Sequence, residues 1–166
     1  MSTKAAIVYG SSTGVTKSVA EKLQTLVPEA DLFDVADVNI DDLKKYDFYF
    51  FGTATSGVGD LQDDWDTILP KIKSFDFTGK KVALFALGDS ASFSTSFASA
   101  MYWLYDALKG KAEIVGAVST DGYTFDESDA VVDGKFVGLA LDEDNEYDLT
   151  DERLKNWLEE LKPYLA

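Results

Sequence analysis

The chain of 166 residues contains no cysteine and no histidine. Without cysteine there is no disulfide, no thiolate nucleophile and no cysteine-ligated iron–sulfur cluster. Without histidine, the Ser-His-Asp triad and the common zinc sites are excluded. Any transfer of electrons or groups must therefore be carried by a bound organic cofactor. No uninterrupted apolar run of about eighteen residues occurs, so no membrane insertion is expected. Met1-Ser2-Thr3-Lys4 leads directly into a strand-like run, which leaves no room for a signal peptide. The cytoplasm, or a plastid stroma, is the expected location. Basic residues are scarce: 15 Lys and Arg stand against 30 Asp and Glu, for a net charge of -15. That charge disfavours nucleic acid and anionic membranes and suits basic-surfaced protein partners approached by electrostatic steering. The length fits one domain with a substantial core, and no repeat or Pro/Gly-rich linker divides it, so residues 1–166 read as a single domain.

What is present is concentrated first in Tyr9-Gly10-Ser11-Ser12-Thr13-Gly14-Val15-Thr16. The apolar run 4–9 before it reads as a strand, and Val19, Leu23, Leu26 and Val27 behind it recur at helical spacing. A helix thus starts straight out of a loop of glycines and hydroxyls. Backbone N–H groups at a helix start are unpaired and carry partial positive charge, which makes them an anion site. An ordinary turn needs one Ser or Thr as N-cap, but Ser11, Ser12, Thr13 and Thr16 supply four within six positions. The loop reads as a phosphate cradle. It is not a P-loop, because Gly10 and Gly14 are one residue too close and no Lys follows Gly14. It is not a dinucleotide fingerprint either: Gly57-Val58-Gly59 begins one, but Gln62 stands where the third glycine belongs.

Along the rest of the chain, strands are expected at 31–35, 46–53, 81–87 and 113–118, with Phe48-Tyr49-Phe50-Phe51 buried on both faces. Helices are expected at 14–27, 39–45, 61–72 and 96–109, with a final amphipathic helix capped by Thr150. Strand and helix alternate five times. This predicts an α/β, doubly wound, five-stranded parallel sheet of order 2-1-3-4-5. Residues 120–138 fall outside that alternation and precede a second strand-like run, Phe136–Leu141, so the fifth strand is expected to be split by an insertion. In such sheets ligands sit beyond the carboxyl ends of the strands, where the order reverses. The loops after strands 1, 3 and 4 meet there.

The chain resembles the flavodoxins of the long-chain type over essentially its whole length. Ser11–Thr16 is similar to the family's [ST]-x-T-G-x-T phosphate loop. Gly59-Asp60-Leu61-Gln62-Asp63-Asp64-Trp65 and Gly88-Asp89 are similar to the segments after its third and fourth strands. Ser119–Tyr123 and Gly134–Asn145 resemble the insertion of its long-chain members. The resemblance implies a flavodoxin-like fold and a low-potential, one-electron carrier, not an enzyme. It would hold non-covalent FMN and act as a monomer between redox proteins such as ferredoxin-NADP reductase or photosystem I. It further implies that Ser11, Ser12, Thr13, Gly14, Val15 and Thr16 bind the phosphate and that Asp144 faces the ribityl chain. Thr55, Ser56, Gly57, Val58 and Gly59, with Leu87, Gly88, Asp89, Phe93 and Phe97, would border the isoalloxazine ring. Gly57 tolerates φ > 0, so its carbonyl could turn toward ring N5 at little cost.

Charge bears on both ends of that ligand. Screening within about 8 Å cuts off the far field of the acidic surface. Charge-assisted hydrogen bonds at contact, roughly 1.5–3 kcal/mol each, then outweigh the repulsion of a phosphate. At the ring, one carboxylate about 10 Å from a negative reduced flavin costs about 1.7 kcal/mol at an effective dielectric of about 20. That is about 70 mV for a one-electron couple. Asp60, Asp63, Asp64, Asp89 and Asp144 are the candidates, although Asp63 and Asp64 also suit a solvated helix start. The sequence departs from the family at the ring: Ser56 stands where many members stack a Trp, and Phe93 where they stack a Tyr. Trp65 lies on a helix and reads as core. Two rivals share the fold: an FMN-dependent oxidoreductase of the quinone reductase type, and a flavin-free flavodoxin-like binding domain. A receiver domain is excluded, since Tyr9-Gly10-Ser11 and Gly52-Thr53-Ala54 lack its acidic residues.

Overall fold

In the computed structural model, which describes residues 3–165, the first apolar run forms β1 (Ala5–Gly10) and is buried along its whole length. It leads through the glycine-hydroxyl loop into α1 (Val15–Leu26) and then β2 (Asp31–Asp34). The short helix expected at 39–45 is a single 3₁₀ turn, Ile40–Leu43, whose Asn39 side chain accepts the Asp41 N–H at 3.1 Å. β3 (Phe48–Ser56) runs three residues past its expected end and folds back through β4 (Asp60–Leu61) as a short hairpin. The remaining units are α2 (Asp63–Ser74), β5 (Lys81–Leu87), α3 (Met101–Leu108) and β6 (Glu113–Val115). β7 (Val118–Ser119), β8 (Val131–Val132), β9 (Lys135–Phe136) and β10 (Leu139–Leu141) follow. The chain ends in α4 (Glu143–Glu146), a 3₁₀ turn at Tyr147–Leu149, and α5 (Thr150–Leu165).

The main sheet has the order β2-β1-β3-β5, and its fifth place is shared by two strands. β6 pairs in parallel with Lys81–Ala83 of β5, and β10 with Phe85–Leu87. Between them the chain makes a separate antiparallel sheet, β7-β9-β8. The run Phe136–Leu141 is therefore broken in two. At the break a Cβ on Gly138 would lie 2.1 Å from the Leu84 carbonyl oxygen, so only glycine lets the chain pass β5 that closely.

Helices cover both faces. Tyr49 and Phe51 of β3 pack with Trp65, Ile68, Ile72 and Leu104 from α2 and α3. Phe48 and Phe50 point the other way, against Val19, Leu23, Leu154, Trp157 and Leu161 from α1 and α5. The period-two alternation of a strand buried on both faces accounts for four consecutive aromatics. Trp65 is fully buried, as its helical position suggests, and its indole N–H donates to the Gly52 carbonyl at 2.7 Å.

Two expectations about helix ends are corrected. α3 begins at Met101 rather than 96, because Ala98 adopts φ +53 where its backbone passes Gly88. A left-handed residue cannot sit inside a right-handed helix. Thr150 does not cap α5. It is the first residue of the helix, and its buried Oγ1 has no hydrogen-bond partner among the described residues.

Candidate functional site

The carboxyl ends of β1, β3, β5 and β10 open onto one cavity of ≈ 310 Å³. Its walls come from four loops that are distant in sequence: Ser12–Thr16, Ala54–Gly57, Leu87–Ser96 and Glu143–Asp144. This is the crevice beside the point where the strand order reverses, between β1 and β3.

At one end lies the start of α1. Its N-cap is Gly14, at φ +91, and no side chain caps the helix there. The first-turn amides of α1 thus keep the unpaired character that attracts an anion. Ser11 does not line the cavity; its hydroxyl accepts the Gly14 N–H at 3.0 Å and shapes the turn instead. Thr16 is buried and lines the wall, whereas Ser12 and Thr13 are exposed at its mouth. Among the described residues no cation lines the cavity. An anion at this end would be held by neutral donors.

The loop is braced from behind by Gln62, 1% exposed, to which the sequence analysis assigned no role of its own. Its Oε1 accepts the N–H groups of Asp64 and Trp65 at 3.0 and 3.2 Å, capping α2. Its Nε2 donates to the Ser12 hydroxyl at 3.3 Å. Gly10 makes room for this arrangement, since a Cβ there would lie 2.4 Å from Gln62 Oε1. Nothing local in the sequence marks a glutamine as a cap that reaches fifty residues back.

The other end is acidic, with Asp89, Glu143 and Asp144 on the wall. The Asn145 side chain and the Ser92 N–H hydrogen-bond to Asp89 and hold its carboxyl below the usual carboxylate range. Asp144 is shifted the opposite way. Partial burial, then the charges of Asp89 and Asp142, push its carboxyl up. Asp142 itself is buried at the α4 N-cap and accepts from Ser90 Oγ, Asn145 N and Asn145 Nδ2.

Thr55, Ser56, Gly57, Leu87, Gly88, Asp89 and Phe93 all lie on the cavity wall, with Phe93 41% exposed. Three residues expected to border the ring do not, and Gly14, like Ser11, is not on the wall either. Val58 is 76% exposed at the hairpin tip, and Gly59 packs over Ser96 and Ser99 behind it. Phe97 is a correction: it is 1% exposed, within a cluster of Tyr123, Phe125 and Phe136 that cements the insertion to the sheet. The family resemblance implied a contact with the flavin ring, but the side chain packs inward among the rings of the insertion. Ala54, Ser96 and Glu143 line the cavity and were not anticipated.

Two wall residues carry an orphaned polar atom. Thr55 Oγ1 and Ser96 Oγ are buried and have no hydrogen-bond partner among the described residues. Buried hydroxyls are normally satisfied, so orphaned oxygens on two residues of the cavity wall suit a ligand with polar edges. Neutral donors at a helix start, an aromatic ring and unsatisfied hydroxyls together fit a flat, polar-edged group with an anionic tail.

These features define a doubly wound α/β protein with an uncapped first helix start and a cavity at the strand-order reversal. The sequence matches the family described as Flavodoxin over residues 7–157. It is 42% identical over 167 residues to the flavodoxin of Synechocystis sp., covering 98% of both chains. It is 48% identical over 159 residues to flavodoxin 1 of Azotobacter vinelandii, covering 92% of this chain and 91% of that one. Among solved structures, Fusobacterium nucleatum flavodoxin bound to flavin mononucleotide superposes with a TM-score of 0.93 at 32% identity, covering 99% of each chain. The chain belongs to the flavodoxin family.

Proposed function

We propose that this protein is a one-electron carrier that binds FMN non-covalently in the cavity beyond β1, β3 and β5 and shuttles electrons between redox proteins. Flavodoxins are electron-transfer proteins, not enzymes. The observation that carries the reading is the pairing of an uncapped α1 start with orphaned Thr55 and Ser96 hydroxyls in one cavity.

In this reading the α1 amides and the hydroxyls of Ser12, Thr13 and Thr16 hold the phosphate. Thr55 and Ser96 offer hydrogen bonds to the ring edge, and Phe93 covers one face. The flavin supplies the redox chemistry when bound. Asp89, Glu143 and Asp144 make the wall negative, which disfavours added electrons and lowers the potential. Among the described residues no helix is long and apolar enough to cross a membrane. The net charge of -15 suits basic-surfaced redox partners of the ferredoxin-NADP reductase or photosystem I kind, met in the cytoplasm or a plastid stroma.

The test is the visible spectrum of the purified protein, followed by titration of the apoprotein with FMN and stepwise reduction. A yellow protein with two resolved one-electron midpoints is expected. A colourless protein that takes up no FMN overturns the reading.

A further inference from the structure

We propose that Trp103 is a positioning residue for the cofactor. Its indole N–H anchors the Gly57–Gly59 hairpin tip, and through that tip it sets how tightly flavin binds and at what potential it is reduced. The inference rests on the FMN reading above. It concerns a side chain that lies outside the cavity and on another helix.

The hairpin needs an anchor. Ala54–Gly57 form one wall of the cavity, yet the hairpin beyond it has only two paired positions, Thr55 with Leu61 and Ser56 with Asp60. So short a ladder is marginal by itself. The tip buries no side chain of its own, because Val58 is 76% exposed and its neighbours are glycines. Gly57 and Gly59 both take positive φ, +52 and +89, so backbone stiffness does not hold the tip either. Ser56 brings no aromatic mass to the wall.

Two contacts remain on the outer side. Gly59 sits against the 96–99 segment, where a Cβ would lie 3.1 Å from Ser99 Cβ. Its carbonyl accepts the Trp103 indole N–H at 3.1 Å. Trp103 is carried on α3 between Met101 and Leu104, both fully buried, so its backbone has the rigidity of the core. Trp103 is 46% exposed and lines a groove of ≈ 360 Å³ with Asp60, Leu61 and Asp63 on the far side of the hairpin. A tryptophan half in water has little packing reason to be there. Its N–H ties the core to the tip, and the tip is two residues from the cavity wall.

One neutral hydrogen bond in a half-exposed setting corresponds to about a two- to tenfold effect on an equilibrium. A tenfold difference between the affinities for two oxidation states moves a one-electron midpoint by about 59 mV. Trp103→Phe removes the N–H and keeps an aromatic ring beside Tyr102. Three quantities are compared between wild type and variant: amide hydrogen exchange of residues 57–60 in the apoprotein, the FMN dissociation constant, and both midpoint potentials. Faster exchange confined to the tip, two- to tenfold weaker FMN binding and a displaced midpoint are expected. Unchanged exchange overturns the anchor. Faster exchange with unchanged affinity and potentials overturns its link to the cofactor. A wild-type protein that binds no FMN instead removes the underlying reading, while the exchange comparison still decides the anchor.

Discussion

The Asn145 side-chain amide donates to an Asp89 carboxylate oxygen at 2.8 Å, joining α4 to the loop after β5. The same nitrogen also reaches Asp142 Oδ1 at 2.9 Å. Two carboxylates that would repel each other therefore share one neutral donor, and both cavity loops are fixed by it. Losing a hydrogen bond to a charged group costs about 1.5–3 kcal/mol when buried, and these bonds are partly exposed. Asn145→Ala is expected to destabilise the apoprotein by about 1–2 kcal/mol in urea unfolding. The pH dependence has a definite sign. Asp89 is held below its ordinary carboxylate value, so its contribution is present above that value and is lost as pH falls through the depressed one. The deficit of Asn145→Ala should be largest near neutrality and shrink in acid.

Asp144 runs the other way. Its carboxyl is raised by partial burial and by Asp89 and Asp142, so the folded protein holds that proton to higher pH than the unfolded chain does. Stability then falls as pH rises through the ordinary carboxylate value toward the raised one, and the ionised group opposes folding above it. Asp144→Asn should raise the Tm of the apoprotein at pH 7 and leave it unchanged at pH 3. The same variant removes one negative charge from the cavity rim. Both midpoint potentials of the FMN-loaded protein should move up, by no more than about 70 mV if the charge lies about 10 Å from the ring.

The parts of this molecule that were legible in the sequence are those whose signal is local. Phe48-Tyr49-Phe50-Phe51 can satisfy four aromatics only between two covered faces, and the glycine-hydroxyl run marks the turn from β1 into α1. The less legible parts depend on distant partners. Ser96 and Glu143 are ordinary residues until β5 and β10 bring their loops together. Gln62 becomes a brace only because Gly10 leaves room for it. α3 starts late because Ala98 meets Gly88, a contact between residues ten apart that no periodicity encodes. Phe97 is buried rather than on the cavity wall. An aromatic near a site is judged by its neighbours in space, and its own are the rings of the insertion.

Gly10 and Gly14 separate packing from backbone strain in the same loop. At Gly10 an added methyl would meet Gln62 Oε1 at 2.4 Å and Trp65 Cδ1 at 2.5 Å, so the cap of α2 and the core must both shift. Overpacking of this kind costs about 1–3 kcal/mol. At Gly14 the added methyl meets nothing within 4 Å, but φ +91 is unfavourable for any side chain, at about 1–2 kcal/mol. Both alanine variants should unfold earlier in urea. They should differ in FMN affinity. Gly14→Ala disturbs the backbone that presents the α1 amides and should weaken binding at least as much as it destabilises. Gly10→Ala acts behind the loop, through Gln62 and Ser12, and should lose stability first. Equal affinity in Gly14→Ala and wild type would show that the phosphate does not sit on these amides.

Ser56 and Phe93 face the cavity from different loops, one at the end of β3 and the other in the turn after β5. Phe93 can cover a ring, but a serine hydroxymethyl leaves the opposite wall shallow. Ser56 is held in register by its pairing with Asp60, so a larger side chain there is directed by the strand rather than by a free loop. An aromatic pair contributes about 0.5–1.5 kcal/mol beyond the area it buries, a factor of about two to ten in affinity. Ser56→Trp should therefore tighten FMN binding to the apoprotein by about that factor, read from flavin fluorescence quenching. Phe93→Tyr should leave affinity within about twofold, since the ring face is kept, whereas Phe93→Ala should loosen it about tenfold. Tightening must come from slower dissociation, because the new ring closes the wall behind a ligand already seated. Should Ser56→Trp bind FMN no better than wild type while Phe93→Ala binds it worse, the flavin ring lies against Phe93 alone and the β3 wall does not touch it.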